Sequence, residues 1–287
     1  MQLNAENTAI VVDSTADLPD PAARHPNWRL VPLYVRFGDE SFRDHVDLSA
    51  ADFYRRLREA SEPPKTSQPT PADFESLYAG LTGYERIFVL VVSAKLSGTY
   101  ETAGMVAASA GDERVVPVDT ASVSGGMVLL ADAIQRRLER GTTDDEIDEL
   151  VARFRREAVL LFTLDTIDYL VRGGRVGKAA GLAGQLLNVK PILALQDGEV
   201  EPLKRMRGRA KALAELEQLF ADGTVESQNL HVALAHADRP ADAEDLATRI
   251  QRIRPDAALD VLTTLGPVVG THGGPGALGL FWFDDAL

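Results

Sequence analysis

Short β-branched runs alternate with helix-patterned stretches through the first half of this 287-residue chain, and that alternation restricts the fold more than any other feature. Strand-like runs at 9–12, 30–35, 87–92 and 115–118 are interleaved with helical patterns near 49–60, 71–81, 100–109 and 123–140. Such an order predicts a parallel sheet covered by helices on both faces, a three-layer α/β/α unit whose ligands lie beyond the carboxyl ends of the strands. The residues at those ends are Asp13, Ser14 and Thr15, then Ser93, then Asp119 and Thr120.

A helix over 144–158 closes this half, and the pattern then changes. Strand-like runs at 160–164, 192–195, 200–203, 232–235, 259–263 and 278–282 follow at irregular spacings, and Asp197-Gly198 is a two-residue hairpin signal. The expectation is an α/β protein with a first domain over 1–157 on a parallel sheet and a second over 158–287 on a mixed sheet. With no repeat or low-complexity linker between them, the two halves are expected to pack closely.

Net charge is −13, with 45% apolar and 25% charged residues. An ordinary globular composition with this sign of charge argues against a nucleic-acid binder and against adhesion to an anionic membrane. Cysteine is absent, which removes disulfides, thiolate nucleophiles and thiolate metal sites together. The N-terminal MQLNAENTAIVVD has no basic segment followed by an apolar one, so a cytoplasmic location is expected. The longest apolar stretch, 179–195, is interrupted by Gln185, Asn188, Lys190 and Pro191, and no membrane helix is expected. Without an apolar heptad or a long unpaired strand, a monomer is expected.

Several segments hold candidate chemistry. Near the end of the chain His272 sits among Gly270, Gly273, Gly274 and Gly276, a pattern that predicts an imidazole exposed on a glycine turn and able to exchange a proton or hydrogen bond with a bound group. Hydroxyls crowd Lys65-Thr66-Ser67-Gln68-Pro69-Thr70-Pro71, where Pro71 suits a first helical position and Thr70 an N-cap; capping leaves Thr66 and Ser67 unexplained. In the segment from Ser93 to Tyr100 a strand end runs into a helix start, so Ser93, Ser97, Gly98 and Thr99 surround a possible anion site, although capping alone accounts for Ser97 and Thr99. Asp119 to Ser122 reads mainly as another helix start.

Cations cluster twice in the second half. Arg172, Arg175 and Lys178 flank a glycine turn, followed by the small residues Ala179, Ala180, Gly181, Ala183 and Gly184 that would leave one helix surface thin. Lys204, Arg205, Arg207, Arg209 and Lys211 form a second run, and each run is either a solvated face or a docking surface for an acidic partner. The G-x-G-x-x-G match at 274–279 has only eight residues after it, too few for a dinucleotide site. No phosphate-binding loop, G-x-S-x-G elbow or close histidine ligand spacing is present.

Taken together, DSTADLP at 13–19, KTSQPTP at 65–71, SAKLSGTY at 93–100, the stretch at 170–193 and GPVVGTHGGPGALGL at 266–280 resemble the DegV family of bacterial fatty-acid-binding proteins, in unbroken order from about residue 8 to the end. The resemblance implies a two-domain α/β fold of the kind shared with dihydroxyacetone kinases, with a long-chain fatty acid such as palmitate or oleate between the domains. It implies a carboxylate held by Thr66, Ser93 and His272, with Ser67, Ser97, Gly98, Thr99 and Gly273 in the same loops, and neither a metal nor a cofactor. It further implies a carrier without catalysis of its own, presenting the acid to the ATP-binding subunit of a fatty acid kinase for acyl-phosphate formation, with Arg172, Arg175, Arg207 and Arg209 in the docking segments. Two other readings stay open: an enzyme on a small carboxylated or phosphorylated metabolite with His272 as acid or base, and a lipid-sensing regulatory protein.

Overall fold

The computed structural model describes residues 1–182 and 189–286. The first half runs β1 (Thr8–Asp13), α1 (Pro21–Arg24), β2 (Trp28–Val31), β3 (Tyr34–Phe37), β4 (Glu40–Arg43), α2 (Ala50–Glu59), β5 (Lys65–Ser67), α3 (Pro71–Ala79), β6 (Arg86–Val91), α4 (Thr99–Ala110), β7 (Val115–Asp119), α5 (Gly125–Leu138) and α6 (Asp144–Glu157). The second half runs β8 (Val159–Thr163), α7 (Asp168–Gly173), β9 (Val189–Gln196), β10 (Glu199–Arg207), α8 (Arg209–Gly223), β11 (Leu230–His236), α9 (Pro240–Ile253), β12 (Ala258–Thr264), α10 (Pro267–Gly273) and β13 (Leu278–Asp284).

Among the described residues there are three sheets. Parallel strands in the order β2-β1-β6-β7 form the first, as the βα alternation predicts, and β1 and β6 are buried along nearly their whole length because helices cover both faces. The second is mixed, in the order β10-β9-β8-β13-β11-β12, with only the β11–β12 pair parallel. Its β9–β10 hairpin turns at Asp197 and Gly198, whose φ values of 49° and 79° are both positive, as the short hairpin signal requires.

The third sheet, β4-β3-β5, was not legible in the sequence. Residues 30–35 read as one strand, but the chain leaves the parallel sheet at Pro32, which has no N–H for a ladder, and restarts as β3. Segment 65–67, not read as a strand in the sequence, pairs with β3 and places Thr66 opposite Val35. The turn chemistry begins just after it: Thr70 caps α3 by accepting from the Asp73 N–H, while the Asp73 carboxylate accepts from the Thr70 N–H at 2.7 Å. Of the small residues after Arg175, Ala179, Ala180 and Gly181 lie in a 3₁₀ segment at 177–182, and Ala183 and Gly184 fall outside the described residues.

Helix α5 is apolar around most of its circumference, the signature of a helix buried on all sides. It packs on β1 and β6 on one side and on β11, β12 and β13 on the other, so one hydrophobic core runs from the parallel sheet through α5 to the mixed sheet. Separate apolar layers lie under α3 and α4 and under α8 and α9.

A buried carboxylate joins these layers. Asp17 accepts from Ser124 Oγ at 2.5 Å, just before α5, and from the Gly266 N–H at 2.7 Å, just before α10; its carbonyl accepts from Thr263 Oγ1 at 2.8 Å. Asp17→Ala strands the buried Gly266 N–H and leaves Ser124 without its acceptor, so a loss of roughly 2–4 kcal/mol is expected. Urea unfolding measures it, and a loss below 1 kcal/mol would show that Asp17 does not join the layers.

Candidate functional site

A cavity of about 330 Å³ lies among β5, β8, α7, β9, β10, α10 and β13 and the loops that follow β1 and β6. Its lining is mainly apolar, with Leu33, Val92, Val123, Leu160, Phe162, Leu164, Leu170, Leu195, Val200, Val268 and Phe281 among the walls. A second cavity of about 370 Å³, bordered by Arg137, Arg140, Arg153, Glu146 and Glu149, is lined by charge of both signs and offers an apolar ligand little. Composition of the wall, not volume, therefore identifies the main cavity as the candidate site.

Polar groups gather at one end of it. Thr66, Ser67 and Gln68 come from β5 and the turn after it, Ser97 from the loop before α4, Arg175 from the turn after α7, and His272 and Gly273 from α10. Ser67 and Gln68 are exposed, which makes this end the mouth. Thr15 and Ser124 also reach the cavity, but their hydroxyls donate to Asp13 and Asp17 respectively.

His272 differs from its expected setting. Pro267 opens α10 at the first helical position and the helix continues to Gly273, so the imidazole projects from a short helix and is largely buried. Two glycines make this possible. A β-carbon at Gly270 would lie 2.7 Å from Tyr54 Oη, so glycine lets α10 approach α2, and one at Gly173 would lie 2.1 Å from His272 Nδ1, so glycine admits the ring.

His272 Nε2 lies 2.8 Å from Thr66 Oγ1, while Nδ1 is buried without a partner. Burial, reinforced by the nearby positive charge of Arg175, pushes the imidazole down to about 4, so it is neutral at pH 7. Orphaned buried N–H groups are rarer than under-satisfied acceptors. That favours a proton on Nε2, donated to Thr66 Oγ1, which leaves the threonine O–H free to donate to a bound group. Arg175 is fixed by Nε donating to the Leu96 carbonyl at 3.0 Å and Nη1 to the Gly173 carbonyl at 2.7 Å.

The structure thus brings Thr66, Ser67, Ser97, His272 and Gly273 to one cavity. Ser93 is not part of its wall: fully buried, it donates to the Gly198 carbonyl at 2.7 Å and accepts from the Lys95 N–H at 3.2 Å, tying the strand end to the β9–β10 turn. Gly98 and Thr99 also lie off the wall. A β-carbon at Gly98 would meet Gln68 Oε1 at 2.5 Å, and Thr99 Oγ1 holds Ser97 Oγ at 2.8 Å.

The four arginines assigned to docking segments separate. Arg172 and Arg207 are exposed, whereas Arg175 belongs to the cavity and Arg209 is tied down, donating to Asp242 at 2.9 Å and to the Gly276 carbonyl at 2.6 Å. Arg175 and Gln68 line the cavity and Gly173 packs against His272, none of which the sequence reading placed there; for Arg175 and Gly173 the Arg-Gly-Gly-Arg turn was the available signal. Among the described residues, no group of three or more histidine, aspartate or glutamate side chains could hold a metal ion, and no helix is long and apolar enough to cross a membrane.

The chain is similar over nearly its whole length to known proteins. A fatty acid-binding protein of Thermotoga maritima is 35% identical over 276 residues, 94% of this chain and 95% of that protein. A DegV family protein from Thermus thermophilus, described for fatty acid binding, superposes with a TM-score of 0.88 at 31% identity, covering 97% of this chain and 99% of its own. The fatty acid-binding DegV of Bacillus subtilis superposes with a TM-score of 0.84 at 28% identity, covering 96% and 99%. The family model described as uncharacterised protein, DegV family, matches residues 7–285, and the chain belongs to the DegV family.

Proposed function

We propose that this protein binds a long-chain fatty acid between residues 1–157 and 158–287, with the acyl chain in the cavity and the carboxylate at its polar mouth. The observation that carries the reading is one apolar cavity with a single polar end, where a neutral His272 hydrogen-bonds Thr66 beside a fixed Arg175. Burying an acyl chain contributes about 0.8 kcal/mol per methylene, so about 14 methylenes give a gross driving force near 11 kcal/mol before ordering costs. The carboxylate must receive hydrogen bonds when it leaves water, and hydroxyls of Thr66, Ser67 and Ser97 together with the Arg175 charge meet that need. The fatty-acid-binding relatives at 28–35% identity support the same ligand.

In this reading the chain is a carrier. Its bound acid is presented at the mouth to a separate ATP-dependent kinase subunit, which supplies the phosphoryl-transfer chemistry, and the exposed Arg172 and Arg207 contribute to docking.

Native mass spectrometry with organic extraction tests the ligand: one stoichiometric fatty acid is expected, and a chain still empty after incubation with several acids would refute the reading. Thr66→Val and Ser97→Ala should each weaken fatty-acid affinity about tenfold, about 1.4 kcal/mol. Ser93→Ala should leave affinity within about threefold and lower unfolding stability instead. Equal loss of affinity in the Ser93 and Ser97 variants would reverse the assignment made from the cavity wall.

Neutral His272 also sets a pH dependence. Below its unfolded value near 6.5 the unfolded chain takes a proton that the folded chain refuses until about 4, so stability falls as pH drops across this window, by on the order of 3 kcal/mol in all. Asp13 and Asp44, raised by burial to about 6 and about 7, act with the opposite sign: their contribution is present below about 3.8 and lost as pH rises. The difference between wild type and His272→Gln isolates the histidine. Wild type is expected to lose more stability than the variant between pH 6.5 and 4, and parallel curves would show that His272 is not held neutral.

A further inference from the structure

We propose that Phe281 is the fixed stop that sets the length of acyl chain this protein accepts; this inference rests on the fatty-acid reading above. The direction of the cavity comes from β8. Alternate residues Leu160, Phe162 and Leu164 face it, and at about 3.3 Å per residue Leu160 lies roughly 13 Å further along than Leu164. Leu164 is at the end leading into α7, whose Gly173 touches His272. Leu160 is therefore at the end remote from the polar mouth, and Phe281 is its direct cross-strand partner on β13.

A small pocket of about 30 Å³ lies behind this end, and Leu160, Leu195 and Phe281 line both it and the main cavity. These three side chains form a partition. Beyond it the surroundings become polar, with Thr120, Ser122, Arg155 and Asp197 among the lining residues, so the partition separates the apolar run from groups that an acyl chain would desolvate without compensation.

The Phe281 ring is held in place rather than free to swing. β-Carbons at Gly125, Gly126 and Gly279 would come within 3.3, 3.2 and 2.9 Å of ring atoms, so three glycines form a slot in which the ring lies against bare backbone. Close packing on that scale leaves the ring no room to rotate out of the path of a growing chain.

The test is a chain-length profile. Affinities of purified wild type and Phe281→Ala are measured against saturated fatty acids of increasing length, with circular dichroism confirming that the variant is folded. In wild type, affinity should rise with length and then fall sharply; in Phe281→Ala the fall should come two or more carbons later, with about fourfold gain for each additional methylene accommodated. Leu195→Ala, which opens the same partition from β9, should shift the cutoff in the same direction and carries the test if Phe281→Ala does not fold. A folded variant with the wild-type cutoff overturns the inference. Wild type that retains no fatty acid of any length overturns the ligand reading itself, whereas unchanged cutoffs with intact binding overturn only the role of Phe281.

Discussion

Asp17 is a carboxylate removed from water and surrounded by donors that come from distant parts of the chain, and the geometry of the cavity depends on it. Its backbone adopts the left-handed conformation, φ 54°, which an aspartate tolerates better than most residues. That bend turns the side chain inward. One oxygen meets Ser124 ahead of α5, the other meets the Gly266 N–H ahead of α10, and His45 Nε2 stands 3.6 Å away. Burial disfavours a charged His45, but the neighbouring carboxylates of Asp17 and Asp44 outweigh that and raise its pKa above the ordinary histidine value. Because α5 leads to one wall of the cavity and α10 holds His272, a single acceptor sets the spacing between them. Asp13 does the corresponding work inside the parallel sheet, accepting from Thr15 and from the Val92 N–H at 2.7 Å and so joining the ends of β1 and β6.

The parallel sheet was legible because its central strands β1 and β6 are buried on both faces, leaving uninterrupted apolar runs with no competing period. The mixed sheet was legible at β8, β11 and β13 from largely buried apolar runs, and the Asp197-Gly198 turn carried its own backbone signature. What escaped was structure decided by tertiary contact. Lys65-Thr66-Ser67 is too short and polar to announce a strand, and it becomes one because β3 offers an edge. His272 looked exposed because its glycines looked like turn formers; Gly270 and the remote Gly173 instead remove β-carbons so that helix and ring can pack.

Ser93 and Ser97 show the same limit at the level of the site. Both lie in one loop after β6 and both carry a hydroxyl suited to an anion. Which of them faces the cavity depends on where the β9–β10 turn lands, more than a hundred positions along the chain, and it lands on Ser93. Arg175 is the converse case. In sequence it is one of several cations near a glycine turn, and only the carbonyls of Leu96 and Gly173 aim its guanidinium inward while Arg172 stays in solvent.

A neutral histidine is the physically economical choice at such a mouth. In the proposed reading a carboxylate leaving water needs one positive charge close by, and Arg175 would supply it. A second buried cation at position 272 would add its own desolvation cost and repel the first, and both effects are what hold the imidazole down to about 4. In that reading neutral His272 still polarises the site, because with its proton on Nε2 it occupies a Thr66 lone pair and would direct the threonine proton toward the ligand. On the proposed reading the mouth therefore presents a charge, hydroxyls and a fixed hydrogen-bond direction before any ligand arrives, and that pre-organisation would reduce the ordering cost of binding.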